Sequence, residues 1–308
     1  MSRIHEALKK AELERSQSRA AMSAEPPVAE LPAAVLEKAM TTAANGTNGS
    51  AATATAVMSN GFSLDELHAR GRAHARWNPD GKTDVFSALH GGHGAEQFRM
   101  LRSRLYHAQG NQQVRTMMVT SSVAGEGKTF VAANLARAFV RQADRKILVI
   151  DADLRCPRLN LMFGAPERAG LSDYLQGGID EASVIQQGEP GNLYFIPSGS
   201  RVNHPTELLS NGRFKTLLDH LRPAFDWIII DAPPCLPVAD AGLIANFCDG
   251  LLFVVRAGFT PSPVILKSRQ ELKGRNVLGV VLNAVAGHPK YSSYYGSGYE
   301  GTNREKAK

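Results

Sequence analysis

Thr116-Met-Met-Val-Thr-Ser-Ser-Val-Ala-Gly-Glu-Gly-Lys-Thr129 is the stretch on which the reading of this chain turns. It runs from an apolar, strand-like segment through a loop of small residues into the start of a helix, the order a phosphate-binding loop requires. Gly125 and Gly127 let backbone N–H groups turn inward around an anion. A helix beginning near Lys128 adds the positive end of its dipole. Lys128 then reaches the β- and γ-phosphates, and the Thr129 hydroxyl is a ligand for Mg²⁺. The strict pattern has glycine where this chain has Ser122, so the strand-loop-helix context bears more of the argument than the formal match. Ala124, Gly125, Glu126, Gly127, Lys128, Thr129 and Phe130 are the expected ATP-binding residues.

Two apolar segments downstream end in carboxylates: Lys146-Ile-Leu-Val-Ile-Asp151-Ala-Asp153 and Trp227-Ile-Ile-Ile-Asp231-Ala-Pro-Pro234. In parallel α/β sheets ligands sit at the carboxyl ends of strands. Three aspartates therefore fall where the loop places the phosphates. Mg²⁺ prefers carboxylate and water oxygens, so Thr129, Asp153 and Asp231 are the expected metal ligands. Lys128, Asp151, Asp153 and Asp231 are the expected catalytic set, with Asp151 as base or positioning group. A lone aspartate after a strand is usually a cap or turn residue; three beside such a loop reverse that reading. Arg155 and Arg158 follow directly, as phosphate clamps, subunit contacts or solvated arginines. Asn283, ending the last strand, is a candidate for hydrogen bonding the nucleotide base.

Outward from these motifs, apolar runs alternate with helical patterns. Strands are expected at Met117–Ser121, Ile147–Asp151, Leu193–Pro197, Trp227–Asp231, Leu251–Arg256 and Val277–Asn283, and helices at 128–142, 206–222, 239–246 and 263–273. Val/Ile/Leu-rich strands alternating with helices mean a parallel sheet covered on both faces. Upstream, Phe98, Leu101 and Leu105 share one helical face, with Arg99, Arg102 and Arg104 around it.

These residues together resemble the bacterial tyrosine kinases tied to capsule and exopolysaccharide production, over roughly residues 95–300. Ser121-Ser-Val-Ala-Gly-Glu-Gly-Lys-Thr129 is close to the family's Ser-Ser-x-x-x-Glu-Gly-Lys-Ser/Thr, and Ile150-Asp-Ala-Asp-Leu-Arg-Cys-Pro157 and Ile230-Asp-Ala-Pro-Pro234 match its second and third motifs. Glu96-x-x-Arg99-x-x-Arg102 matches its E-x-x-R-x-x-R helix, through which subunits assemble into a ring. Four of the chain's seven tyrosines, Tyr291, Tyr294, Tyr295 and Tyr299, lie in the last eighteen residues among Ser and Gly. They are the expected phosphoacceptors. The resemblance implies an α/β fold with a doubly wound, mostly parallel sheet: a P-loop NTPase of the deviant-Walker, partitioning-ATPase-like type. It also implies ATP and Mg²⁺ as cofactors, and autophosphorylation in trans within a homo-oligomeric ring. The implied partners are a membrane activator of the chain-length-determining type and an opposing protein-tyrosine phosphatase, with no nucleic acid.

The domain layout expected is an N-terminal helix over 1–22, a mostly disordered linker over 23–90, the kinase domain over 91–286 and a flexible tyrosine-rich tail over 287–308. Ser23 to Asn60 has too little large apolar surface to offset its ordering entropy. At 43% hydrophobic and 21% charged residues the chain reads as globular. No run approaches eighteen consecutive apolar residues, and the start does not read as a signal peptide. The expected location is therefore cytoplasmic, at the inner face of the membrane through a partner. A net charge of +6 suits nucleic acid, an anionic membrane or nucleotide phosphate alike. Cys156, Cys235 and Cys248 form no C-x-x-C pair and read as reduced thiols, which argues against a shared metal cluster. The main rival is a partitioning or division-site ATPase switch that binds DNA or membrane. Those proteins carry a lysine where this chain has Val123, and neither the tyrosines nor the charged helix has a role there. A scaffold that binds ATP without phosphotransfer is opposed by the intact Lys128, Asp151, Asp153 and Asp231.

Overall fold

Alternation along two strands sets the frame. In β2 (Ile147–Asp151) and β5 (Trp227–Asp231) every residue is buried. Successive side chains of a strand point to opposite faces. Ile147, Val149, Trp227 and Ile229 accordingly enter one core layer, and Leu148, Ile150, Ile228 and Ile230 the other. Each such burial is worth roughly 1.5–3 kcal/mol, which is what carries a carboxylate at each strand end into the interior.

The computed structural model describes residues 62, 64, 77–87, 92–109, 113–142, 144–188 and 191–286. The helix expected over 1–22, most of the linker and the tyrosines Tyr291, Tyr294, Tyr295 and Tyr299 lie outside the described residues. Among these the order is α1 (His93–Gln109), β1 (Thr116–Ser121), α2 (Lys128–Val140), β2, α3 (Leu159–Phe163), α4 (Leu171–Leu175), α5 (Glu181–Val184), β3 (Gln186–Gln187), β4 (Leu193–Ile196), α6 (Pro205–Ser210), α7 (Arg213–Leu221), β5, α8 (Asp240–Ala245), β6 (Gly250–Arg256), α9 (Ser262–Glu271) and β7 (Val277–Asn283). The seven-stranded sheet runs β3-β4-β2-β5-β1-β6-β7. All its pairs are parallel except β3–β4. Residues of α1, α2 and α3 fill one layer, and those of α4, α6, α7 and α8 the other. This is the expected doubly wound α/β sheet.

Three local features differ from the sequence reading. The helix expected over 206–222 is broken: Gly212 takes φ 82°, and the Asn211 side chain accepts from Arg213 N–H at 2.9 Å to start α7 afresh. The two-residue β3 is too short to leave a periodic signal. Residues 77–87, within the span 23–90 expected to be mostly linker, pack on the domain. The Trp77 ring stacks on Phe163 at 5.2 Å and meets Phe195 edge-on at 6.0 Å. Asn78 N–H donates to the Gly164 carbonyl at 3.0 Å, where any Cβ on Gly164 would collide with the Asn78 backbone. Further along, Asn134 of α2 accepts from Val85 N–H (3.1 Å) and donates to the Thr83 carbonyl (2.9 Å). The groups that hold this segment belong to the domain, so weak periodicity in the segment itself gives no sign of them.

Candidate active site

The loop between β1 and α2 is shaped by Gly125 (φ 86°) and Gly127 (φ 93°), a region costly for residues bearing Cβ. Gly127 is the N-cap of α2 and supplies no side-chain cap, so the first N–H groups of the helix are available to an anion. On the neighbouring strands Asp151 and Asp231 are register partners. They share the parity of Ile147, Val149, Trp227 and Ile229, and so face the layer of α2, whose first residue is Lys128. This parity explains why the charges meet. Lys128 Nζ lies 2.8 Å from Asp153 Oδ2, 3.6 Å from Asp231 Oδ1 and 3.4 Å from Thr129 Oγ1. Burial pushes the lysine pKa down, but Asp231 and Asp153 push it further up, so the ammonium stays charged.

The three aspartates are not equivalent. Asp231 is fully buried, and neither of its carboxylate oxygens has a donor at close hydrogen-bond geometry, the nearest cation being Lys128 at 3.6 Å. Burial raises its pKa to about 6 against the pull of Lys128. Two orphaned buried oxygens beside a phosphate loop fit a hard cation that brings its own waters. Among the described residues no three His, Cys, Asp or Glu side chains form a ready metal cage. Asp153 gives Oδ2 to Lys128 and takes the Cys156 N–H on Oδ1 at 3.1 Å. Asp151 is committed to backbone: Oδ2 accepts from Arg158 N–H (3.1 Å) and Leu159 N–H (3.0 Å), and Oδ1 from Asp153 N–H (3.3 Å). Burial and the neighbouring Asp231 raise its pKa to about 8. Asp151 thereby holds the turn that presents Asp153.

Ala124 and Gly125 form the exposed tip of the loop. The Glu126 side chain turns inward and is fully buried. Its Oε2 accepts from Val123 N–H at 2.8 Å and its Oε1 from the Thr260 hydroxyl at 2.5 Å. Phe130 packs its ring edge-on against Phe98 of α1 at 5.9 Å. Asn283, expected at the base, donates Nδ2 to the Glu126 carbonyl at 2.9 Å. Arg155, one of the possible phosphate clamps, holds buried Asp240 at 2.7 and 3.2 Å and donates to the Thr206 hydroxyl at 2.9 Å.

The charged ridge expected on α1 is split. Arg99 pairs with Glu96 of its own helix at 2.8 Å on the surface. Arg102 instead donates to the Ala138 carbonyl at 2.5 Å, near the C-terminus of α2. Six residues advance a helix by about 600°, leaving Arg102 roughly 120° around from Glu96. Sequence reasoning missed Arg256 and Thr260, which grip the loop from outside. The Thr260-Pro261 step ahead of α9 is the only local sign of them.

An AAA domain family model matches residues 114–256. Tyrosine-protein kinase YwqD of Bacillus subtilis is 34% identical over 207 residues, spanning 66% of this chain and 86% of YwqD. Tyrosine-protein kinase CpsD of Streptococcus agalactiae is 34% identical over 194 residues, spanning 62% of this chain and 82% of CpsD. The solved kinase domain of Escherichia coli tyrosine kinase ETK superposes with a TM-score of 0.58 at 32% identity, over 63% of this chain and 78% of that one.

Proposed function

The chain belongs to the bacterial tyrosine-protein kinase family, and from that premise we propose an autokinase that phosphorylates tyrosines of its own C-terminal segment in trans. One observation supports this reading above the rest: Lys128, at the mouth of the phosphate loop, lies between Asp153 at 2.8 Å and Asp231 at 3.6 Å. ATP is held through the loop and first-turn N–H groups, Lys128 and Thr129. Thr129, Asp153 and Asp231 are the side chains to hold Mg²⁺, which supplies neutralisation of phosphate charge when bound. Phosphoryl transfer is catalysed mainly by positioning and charge stabilisation. Lys128 therefore contributes most among the side chains, and Asp151 keeps the Asp153 turn in place.

The acceptors in this reading are Tyr291, Tyr294, Tyr295 and Tyr299 of a neighbouring copy. Each phosphate adds nearly two negative charges near pH 7, and repulsion then loosens a homo-oligomeric ring that uses Glu96 and Arg99. The setting is capsule or exopolysaccharide polymerisation and export, with a chain-length-determining membrane protein as activator and a protein-tyrosine phosphatase in opposition. Among the described residues no helix is long and apolar enough to cross a membrane. Attachment through a partner at the cytoplasmic face is consistent with this.

The test is incubation of purified protein with ATP·Mg²⁺, followed by phosphosite mapping by mass spectrometry, with Lys128→Ala as control. Phosphate on Tyr291–Tyr299 in the wild type alone is expected. Hydrolysis without protein phosphate, stimulated by DNA or lipid, overturns the kinase reading in favour of a partitioning-type switch.

A further inference from the structure

A carboxylate with no exposed surface sits inside an otherwise open phosphate loop. Glu126 is buried, and its side-chain hydrogen-bond partners are neutral: the Val123 N–H and the Thr260 hydroxyl. Burying a charge against neutral donors is costly, and this charge also lies close to where phosphates bind. What it gains is shape. By taking the Val123 N–H it closes the loop on itself. By taking the Thr260 hydroxyl it ties that closed loop to the turn between β6 and α9.

Two strand ends beside that turn grip the loop again. Arg256, the last residue of β6, donates to the Gly125 carbonyl at 3.2 Å, and Asn283, the last of β7, donates to the Glu126 carbonyl at 2.9 Å. A trans peptide is planar, so its N–H points opposite to its C=O. Drawing the Gly125 and Glu126 carbonyls towards β6 and β7 therefore turns the N–H groups of Glu126 and Gly127 the other way. Thr260 is itself held by its turn: the N–H groups of Phe259 and Thr260 both reach the Arg256 carbonyl at 3.3 Å. Pro261 then leads into α9.

We propose that Thr260 is a positioning residue for ATP: its hydroxyl anchors Glu126 and so keeps the phosphate-loop N–H groups oriented before the nucleotide arrives. Arg256 and Asn283 complete the clamp. The inference rests on the reading of this loop as the ATP site and adds residues outside the phosphate-loop motif. Preorganised donors bind without a reordering cost, so releasing the clamp weakens ground-state binding more than it slows the chemical step.

The experiment measures Kd for a fluorescent ATP analogue with Mg²⁺, and KM and kcat for autophosphorylation, in the full chain. Thr260→Val is expected to raise Kd and KM about tenfold, the size of one strong hydrogen bond, with a smaller change in kcat. Thr260→Ser keeps the hydroxyl and restores both to within about twofold. In a Glu126→Ala background, Thr260→Val adds less than about twofold, because the group it acts through is gone. A Thr260→Val protein that binds as tightly as wild type overturns the proposal, and so does an undiminished Thr260→Val effect in the Glu126→Ala background. Failure of the wild type itself to bind the analogue overturns the ATP reading on which the clamp rests, and binding by wild type but not by Lys128→Ala supports it.

Discussion

At one end of the sheet Asp249, just before β6, accepts from the N–H groups of Arg115 (2.9 Å) and Thr116 (2.8 Å) and from the Thr116 hydroxyl (2.8 Å), and pairs with Arg222 at 3.0 Å. At the other end Asp231 closes β5 with two oxygens that accept nothing. Both are carboxylates at strand termini of one domain. Burial pushes up the pKa of each, but the Thr116 and Arg115 donors and then Arg222 reverse it at Asp249 and hold that group below the usual carboxylate range. At Asp231 burial prevails. A carboxylate saturated with donors contributes stability; a buried one with only Lys128 at 3.6 Å beside it is a candidate for function.

The contrast can be broken most directly at the ligand end. Lys128→Ala is expected to lower autophosphorylation about a thousandfold, read as phosphotyrosine formed per minute. A variant within tenfold of wild type removes the charge-neutralising role and leaves Asp231 without its reason. Asp231→Asn comes next: activity falls about a hundredfold, while the unfolding free energy in urea changes by less than about 1 kcal/mol, since Lys128 keeps its closer partner Asp153 at 2.8 Å and a buried carboxylate no longer has to be charged.

Asp249→Asn is the mirror image. Nucleotide affinity stays at the wild-type value, and unfolding free energy falls by about 2 kcal/mol as backbone donors and Arg222 lose their charged acceptor. The pH dependence has a definite sign. The folded-state pKa of Asp249 lies below its unfolded value of about 3.9. Its contribution is therefore full above that value and lost as pH falls through the folded one. The gap between wild type and Asp249→Asn should be flat from about pH 5 to 7 and close below about pH 4. A gap that widens on acidification contradicts the assignment. The smallest effect belongs to the same rim. Arg145 pairs with Asp226 at 2.6 Å on the surface, and Arg145→Gln should cost about 0.5 kcal/mol or less, diminishing in salt. A loss comparable to that of Asp249→Asn would mean that burial is not what separates the two ends.

The site was partly legible before the fold. Gly125, Gly127, Lys128, Asp151, Asp153 and Asp231 announce themselves because glycines at a strand-helix junction and aspartates at apolar strand ends are local patterns. Glu126, Asn283 and Arg102 were read from the loop, the end of the last strand and the helix motif as facing a ligand or a neighbouring copy, and their side chains hydrogen-bond within the protein. Each is held by a group more than thirty positions away in sequence: Thr260, the Glu126 carbonyl and the Ala138 carbonyl. Spacing along a chain says which helix face a residue shares, not what packs against that face. Trp77 was lost for the same reason, since Gly164, Phe163 and Phe195, which receive it and its neighbour Asn78, come from other elements.

By itself the sequence determined the strand-helix alternation, the phosphate loop, the acidic strand ends and hence the fold class and kind of chemistry. All of these arise from interactions within a few residues or from periodicity along one element. Only the tertiary structure decided which aspartate takes backbone N–H groups, which hydrogen-bonds Lys128 and which meets it only at 3.6 Å, and that the loop is gripped from outside by Arg256, Thr260 and Asn283. Those decisions depend on sheet order. Placing β1 between β5 and β6 puts Asp231 on one side of the phosphate loop and Arg256 on the other, with β7 and Asn283 beyond, a neighbourhood that no stretch of the chain specifies alone.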